Sequence, residues 1–80
     1  MKSERDFIFG IIEAECQNQD QKWGEQNHDT GTWRLILDEE LGEVAEAFLE
    51  GKKDEFMGEL IQCAAVLIQW INCESKKETK

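Results

Sequence analysis

The chain has no proline, one histidine and three cysteines in 80 residues. With no internal repeat or low-complexity segment either, it reads as one small domain, residues 1–80. Cys16, Cys63 and Cys73 are odd in number and lack the paired spacing of a zinc site, so reduced thiols in a cytoplasmic protein are expected. Nothing ahead of the first helix reads as a signal peptide, because the early apolar run FIFGII is interrupted and has acidic flanks. No apolar run approaches the roughly 20 residues needed to span a bilayer, so no membrane partner is expected. Basic residues are scarce as well. Nine Lys and Arg against eighteen Asp and Glu give a net charge of −9. A groove for a nucleic-acid polymer needs a basic footprint, and this chain has the opposite. The excess acid serves either solubility or the binding of divalent cations, and composition does not choose between them.

What is present is helical periodicity. A first helix is expected from about Glu4 to Lys22, with Phe7, Ile8, Ile11, Ile12 and Cys16 as its apolar stripe. The polar segment WGEQNHDTGT follows, rich in turn-forming residues. Thr32 is the expected N-cap of a second helix from Trp33 to about Glu50, which Gly51 stops. Asp54 is the expected cap of a third helix to about Cys73, and the tail at residues 75–80, SKKETK, is expected to fray. A connection as short as GKKD makes the second and third helices antiparallel neighbours. The fold class is therefore all-α: a helical hairpin plus an N-terminal helix. A chain this short buries only roughly 60% of its unfolded surface, so oligomerisation into a four-helix-type bundle, or a metal, is the expected supplement.

The helix period of about 100° per residue sorts the carboxylates. Trp33, Leu37, Leu41, Val44 and Phe48 define the apolar stripe of the second helix, and Glu40 falls inside it. Glu43 lies roughly 60° to one side, while Asp38, Glu39, Glu46 and Glu50 project away. On the third helix the stripe is Phe56, Leu60, Cys63, Val66, Leu67 and Trp70. Glu59 is embedded in it and Gln62 sits roughly 60° to the side. A buried carboxylate must be protonated, paired or metal-bound. Hard oxygen ligands on facing helices suit Mg²⁺ or Mn²⁺. Iron is disfavoured because no histidine stands three residues after either glutamate. The alternative is that Glu40 and Glu59 pair with a lysine or arginine from another helix or a partner chain.

At these residues the sequence resembles the MazG-like all-α nucleoside triphosphate pyrophosphohydrolases. Their signature, EExxE, a spacer, then ExxD, corresponds here to Glu39-Glu40-Leu41-Gly42-Glu43, fifteen residues, then Glu59-Leu60-Ile61-Gln62. The segments QDQKWGEQNH, TWRLILDEELGEVAEAFLEG and ELIQCAAVLIQWI are similar to a small phage and bacterial branch of that family, over roughly residues 15 to 72. The resemblance implies Mg²⁺-dependent hydrolysis of a nucleoside triphosphate, often a deoxynucleotide, to monophosphate and pyrophosphate, in homodimers or dimer-of-dimers tetramers. It implies Glu40, Glu43 and Glu59 as metal ligands, and for Glu39 metal contact or orientation of water. Gln62 departs from the pattern, which has aspartate there. A neutral amide can coordinate through its oxygen but adds no charge and cannot act as a base.

The remaining residues keep two readings each. Glu39 or Glu43 could accept the proton of an attacking water. Arg34, Lys52 and Lys53 are candidates for phosphate contact, although the lysines also suit the C-terminal dipole of the second helix. Trp23 could stack on a base or plug the core, while Asn27 and His28 could bond a base edge or only form the turn. The cysteines read as small core hydrophobes. Three function classes follow: a pyrophosphohydrolase, a catalytically weak nucleotide-binding regulator, and a structural helical oligomer.

Overall fold

Three helices follow one another in the computed structural model, which describes residues 3–78: α1 Glu4–Trp23, α2 Thr30–Leu49 and α3 Lys53–Glu78. No strand occurs among the described residues, so the fold is all-α as expected.

Helix α1 opens with a capping box. The Ser3 hydroxyl accepts from the Asp6 amide at 3.1 Å, and the Ser3 amide donates back to Asp6 Oδ2 at 3.3 Å. It closes at Gly24, whose φ of 72° favours a residue without a Cβ. The second helix starts earlier than Thr32 suggested. Asp29 is the cap, and its Oδ1 accepts from the Thr32 amide at 2.7 Å. The carboxylate serves both as an acceptor for this amide and as a partner for the positive end of the helix. After Gly51 (φ 70°) the chain reverses. Lys52 donates its amide to the Ala47 carbonyl at 3.1 Å and offers its own carbonyl to the Phe56 amide at 2.9 Å. Helix α3 thus begins at Lys53, with Asp54 inside its first turn rather than as its cap.

The end of α3 departs furthest from expectation. The tail predicted to fray is helical as far as Glu78, and Thr79 and Lys80 lie outside the described residues. Partners on the α1–α2 connection, at the start of α2 and on α3 itself hold it. Lys76 pairs with Glu25, Lys77 Nζ donates to the His28 carbonyl at 3.0 Å, and Glu74 accepts from Thr30 Oγ1 at 2.7 Å and Trp70 Nε1 at 2.9 Å.

Both α1 and α2 pack on α3, and they do not pack on each other. Helix α2 runs antiparallel to α3 through the GKK turn. Cys16 meets Ala65, Gln19 meets Gln69 and Glu25 meets Lys76, an advancing register that makes α1 parallel to α3. The main core is Trp33, only 1% exposed, with Val66 and Cys73 beside it and Ile36, Leu37 and Trp70 around it. Much of the stripe expected to be buried is not. Phe7 and Phe48 are each 68% exposed, and Ile8, Ile11, Leu41, Leu60 and Leu67 are also exposed. With only α3 as a shared neighbour, α1 and α2 have no second surface to bury them. The radius of gyration, 13.9 Å, exceeds the roughly 12 Å of a compact chain of this length.

Trp33→Ala is expected to cost about 3–5 kcal/mol in denaturant titration, because it empties the centre of the main core. Leu49→Ala, at a site 82% exposed, should leave the midpoint nearly unchanged.

Candidate metal and nucleotide site

Because α1 and α2 stand apart on α3, a cleft of about 420 Å³ opens between them with α3 as its floor. Helix α2 contributes Glu39 and Glu40, and α3 contributes Gln62 and Val66. Helix α1 contributes Glu15, Asn18, Lys22 and the 68% exposed Trp23.

The embedded glutamates stand where helical geometry puts them. Glu40 and Glu59 are half-buried, and Oε2 of each is a buried oxygen with no hydrogen-bond partner. Glu39 and Glu43 are exposed, yet one carboxylate oxygen from each of Glu39, Glu40 and Glu43 lies within 4.8 Å of the others. No lysine or arginine pairs with Glu40 or Glu59 among the ion pairs of the described residues. The pairing alternative finds no such partner among the described residues.

Electrostatics follow from this placement. Burial, then the charges of Glu43, Glu59, Glu39 and Glu15, push the Glu40 carboxyl up to about 7. Burial, then Glu43 and Glu55, raises Glu59. Burial also raises the Cys63 thiol, helped by Glu40, Glu59 and Glu43, which fits the reading of this cysteine as an inert core residue. The donor set suits a hard divalent cation, since carboxylates strained by burial and mutual repulsion are relieved by positive charge.

The other candidates divide. Trp23 stands on the cleft wall beside Lys22. Asn27 and His28 border a separate pocket with Cys73, Lys76 and Lys77. There His28 Nε2 lies 2.9 Å from Gln26 Oε1, and its ring meets the buried Trp33 edge-on at 4.9 Å. Arg34 pairs with Asp38 at 3.0 Å on the outer side of α2 and does not line the cleft. Lys53 borders an apolar pocket at the hairpin turn with Phe48 and Phe56. Lys52 is drawn to Glu50 at 3.2 Å and Glu55 at 3.9 Å.

Sequence reasoning passed over four α1 residues, Glu15, Asn18, Gln19 and Lys22. Gln19 donates to Glu15 Oε2 at 2.9 Å and accepts from Gln69 Nε2 at 2.8 Å, which fixes its amide orientation and sets Glu15 at the cleft. Their spacing with Trp23 on one α1 face was the available signal; no periodicity within α1 could say what that face meets.

The raised carboxyls fix a sign. A group whose pKa rises on folding contributes full stability below its ordinary value of 4.5, and that stability is lost as pH climbs through about 7. Glu25, Asp29 and Glu74 are lowered by their hydrogen bonds, so their contributions are lost only under more acid conditions. With chelator present, Tm should therefore be higher near pH 5 than near pH 7.5, and Glu40→Gln should narrow the gap. An equal gap in both proteins would show that Glu40 does not carry it.

Comparison of the chain with family models, with curated proteins and with solved structures gave no match, so its functional reading stands on these residues and their geometry.

Proposed function

We propose that the chain is a Mg²⁺-dependent hydrolase, with Mn²⁺ as a possible substitute, that converts nucleoside or deoxynucleoside triphosphates to monophosphate and pyrophosphate. The observation that supports this most is the pair of unpartnered buried carboxylate oxygens, on Glu40 and Glu59, the first of which lines a cleft of nucleotide dimensions. In this reading Glu40, Glu43 and Glu59 would hold the metal, with Gln62 as a neutral oxygen donor. The ion's chemistry is to offset phosphate charge and acidify water. Glu39 or Glu43 takes the proton of the attacking water at a carboxylate oxygen. The water oxygen bonds to the α-phosphorus as the bond to the bridging oxygen breaks, and pyrophosphate leaves. Trp23 offers a face for the base, and Lys22 is the cation on the cleft wall. The three free, buried thiols suit a reducing compartment, so we place the protein in the cytoplasm. The homodimer or dimer of dimers in this reading comes from the family resemblance.

Gln62 favours a second reading, a nucleotide-binding regulator with weak turnover. It lines the cleft half-buried, where an aspartate would add a charge.

Pyrophosphate release across canonical and modified nucleotides tests the first reading. Glu40→Gln should reduce turnover by about 100-fold or more while the helices remain. Glu46→Gln, exposed and outside the cleft, should retain activity. Absence of product from every nucleotide, together with no calorimetric heat from Mg²⁺ and a non-hydrolysable analogue, would overturn both readings. Gln62→Asp should tighten Mg²⁺ binding in the same calorimeter, and unchanged affinity would remove this position from the ligand set.

A further inference from the structure

The hydrogen bond between His28 and Gln26 joins two pockets that are otherwise separate. Gln26 lines the cleft, and His28 borders the pocket shared with Cys73, Lys76 and Lys77. The two half-buried side chains meet at 2.9 Å, His28 Nε2 against Gln26 Oε1. An amide oxygen carries no hydrogen and can only accept, so the proton of this bond belongs to His28 Nε2. The oxygen of Gln26 is thereby committed. What Gln26 keeps for a ligand is its amide NH₂, which has no partner among the described residues. We infer that Gln26 is a specificity-determining residue that donates to an oxo group of the nucleotide base, and that His28 is the positioning residue that orients it. The inference rests on the nucleotide reading of the cleft and names its substrate class: bases with an oxo group where cytosine and adenine carry an amine.

The orientation is held from several sides. The His28 ring meets Trp33 edge-on at 4.9 Å, and Trp33 is only 1% exposed. The His28 carbonyl accepts from Lys77 Nζ at 3.0 Å and from Cys73 Sγ at 3.6 Å. Asp29, the next residue, caps α2. With ring and backbone both fixed, reversing the Gln26 amide would set one N–H against another.

The place suits the base and not the metal. Glu15 and Trp23 stand eight residues apart on α1, about 12 Å of helix rise. The charge of Glu15 acts on Glu40, so the carboxylates mark one end of the cleft and Trp23, with Lys22 and Gln26, the other. Lys22 Nζ, like the free group of Gln26, can only donate, and Lys22 has no ion pair among the described residues. A base edge laid against Trp23 therefore meets donors. An oxo group accepts from them, whereas an amine in its place leaves a donor unpaired. Uracil, thymine, guanine and hypoxanthine fit this edge better than cytosine or adenine.

Two measurements test it. Nitrogen-15 shifts of His28, the single histidine of the chain, read the orientation with no nucleotide present. In the neutral ring the proton should sit on Nε2, and a proton on Nδ1 would overturn the inference whatever the protein binds. Calorimetry with Mg²⁺ and non-hydrolysable deoxynucleotides reads the preference. The analogue of dUTP should bind about tenfold tighter than that of dCTP, and the analogue of dITP about tenfold tighter than that of dATP. Gln26→Glu still accepts from His28 Nε2 but offers an acceptor in place of the NH₂, so both preferences should reverse. His28→Phe keeps a ring beside Trp33 and frees the amide to turn, so both ratios should fall toward one. Gln17→Glu should leave them unchanged, since Gln17 bonds Glu13 outside the cleft. Equal affinities within each pair, or an unaltered preference in Gln26→Glu, would overturn this inference and leave the nucleotide site standing. No heat from any of the four analogues would overturn both.

Discussion

One constraint shapes both the core and the cleft of this molecule: among the described residues, α3 is the one helix on which α1 and α2 pack. A three-helix chain that closed on itself would bury its stripes in a common centre and leave no room among them. Here α1 and α2 are held apart, so the space between them is a cleft and not a core. The same arrangement explains why the acids are tolerable. Glu40 and Glu59 lie on inward stripes, and Glu40 stands at the open wall of the cleft, where counter-charge can reach it.

The cost of that arrangement is distributed unevenly. The upper part of the bundle, around Trp33, Val66 and Cys73, is closed and tied by Glu74, Lys76 and Lys77 to the connection between α1 and α2. The lower part, with Phe7, Ile8 and Phe48, is open to solvent. Buried like charge destabilises a small fold unless something offsets it. In this chain the offset within the protein is packing at one end of the bundle, while the carboxylates occupy its middle.

Relations within one helix or across one tight turn were legible in the sequence. The embedding of Glu40 and Glu59, the flanking place of Gln62 and the antiparallel hairpin all follow from helical angle and a short connection. Relations set by docking were not. Glu15 and Lys22 reach the cleft only because α1 lies parallel to α3, through contacts about fifty residues apart. The tail SKK reads as solvated charge because its partners, Glu25 and the His28 carbonyl, belong to another segment. Thr32 and Asp29 are both good caps by residue type, and only the backbone path decides which oxygen reaches the amide. The exposed stripes were misjudged for a related reason: periodicity marks which face is apolar, not whether the chain itself supplies something to cover it.

The register between α1 and α3 also orders the molecule in time. The α2–α3 hairpin closes through neighbours in sequence, whereas α1 docks only after a span of 49 to 51 residues has been brought together. Contacts that close long loops form late and, when few, are lost first. The wall bearing Trp23, Lys22 and Glu15 therefore rests on contacts between distant segments, while the wall bearing Glu39 and Glu40 belongs to the local hairpin. The two walls of one cleft thus have different origins: a short turn sets the first, and the docking of a whole helix from the far end of the chain sets the second.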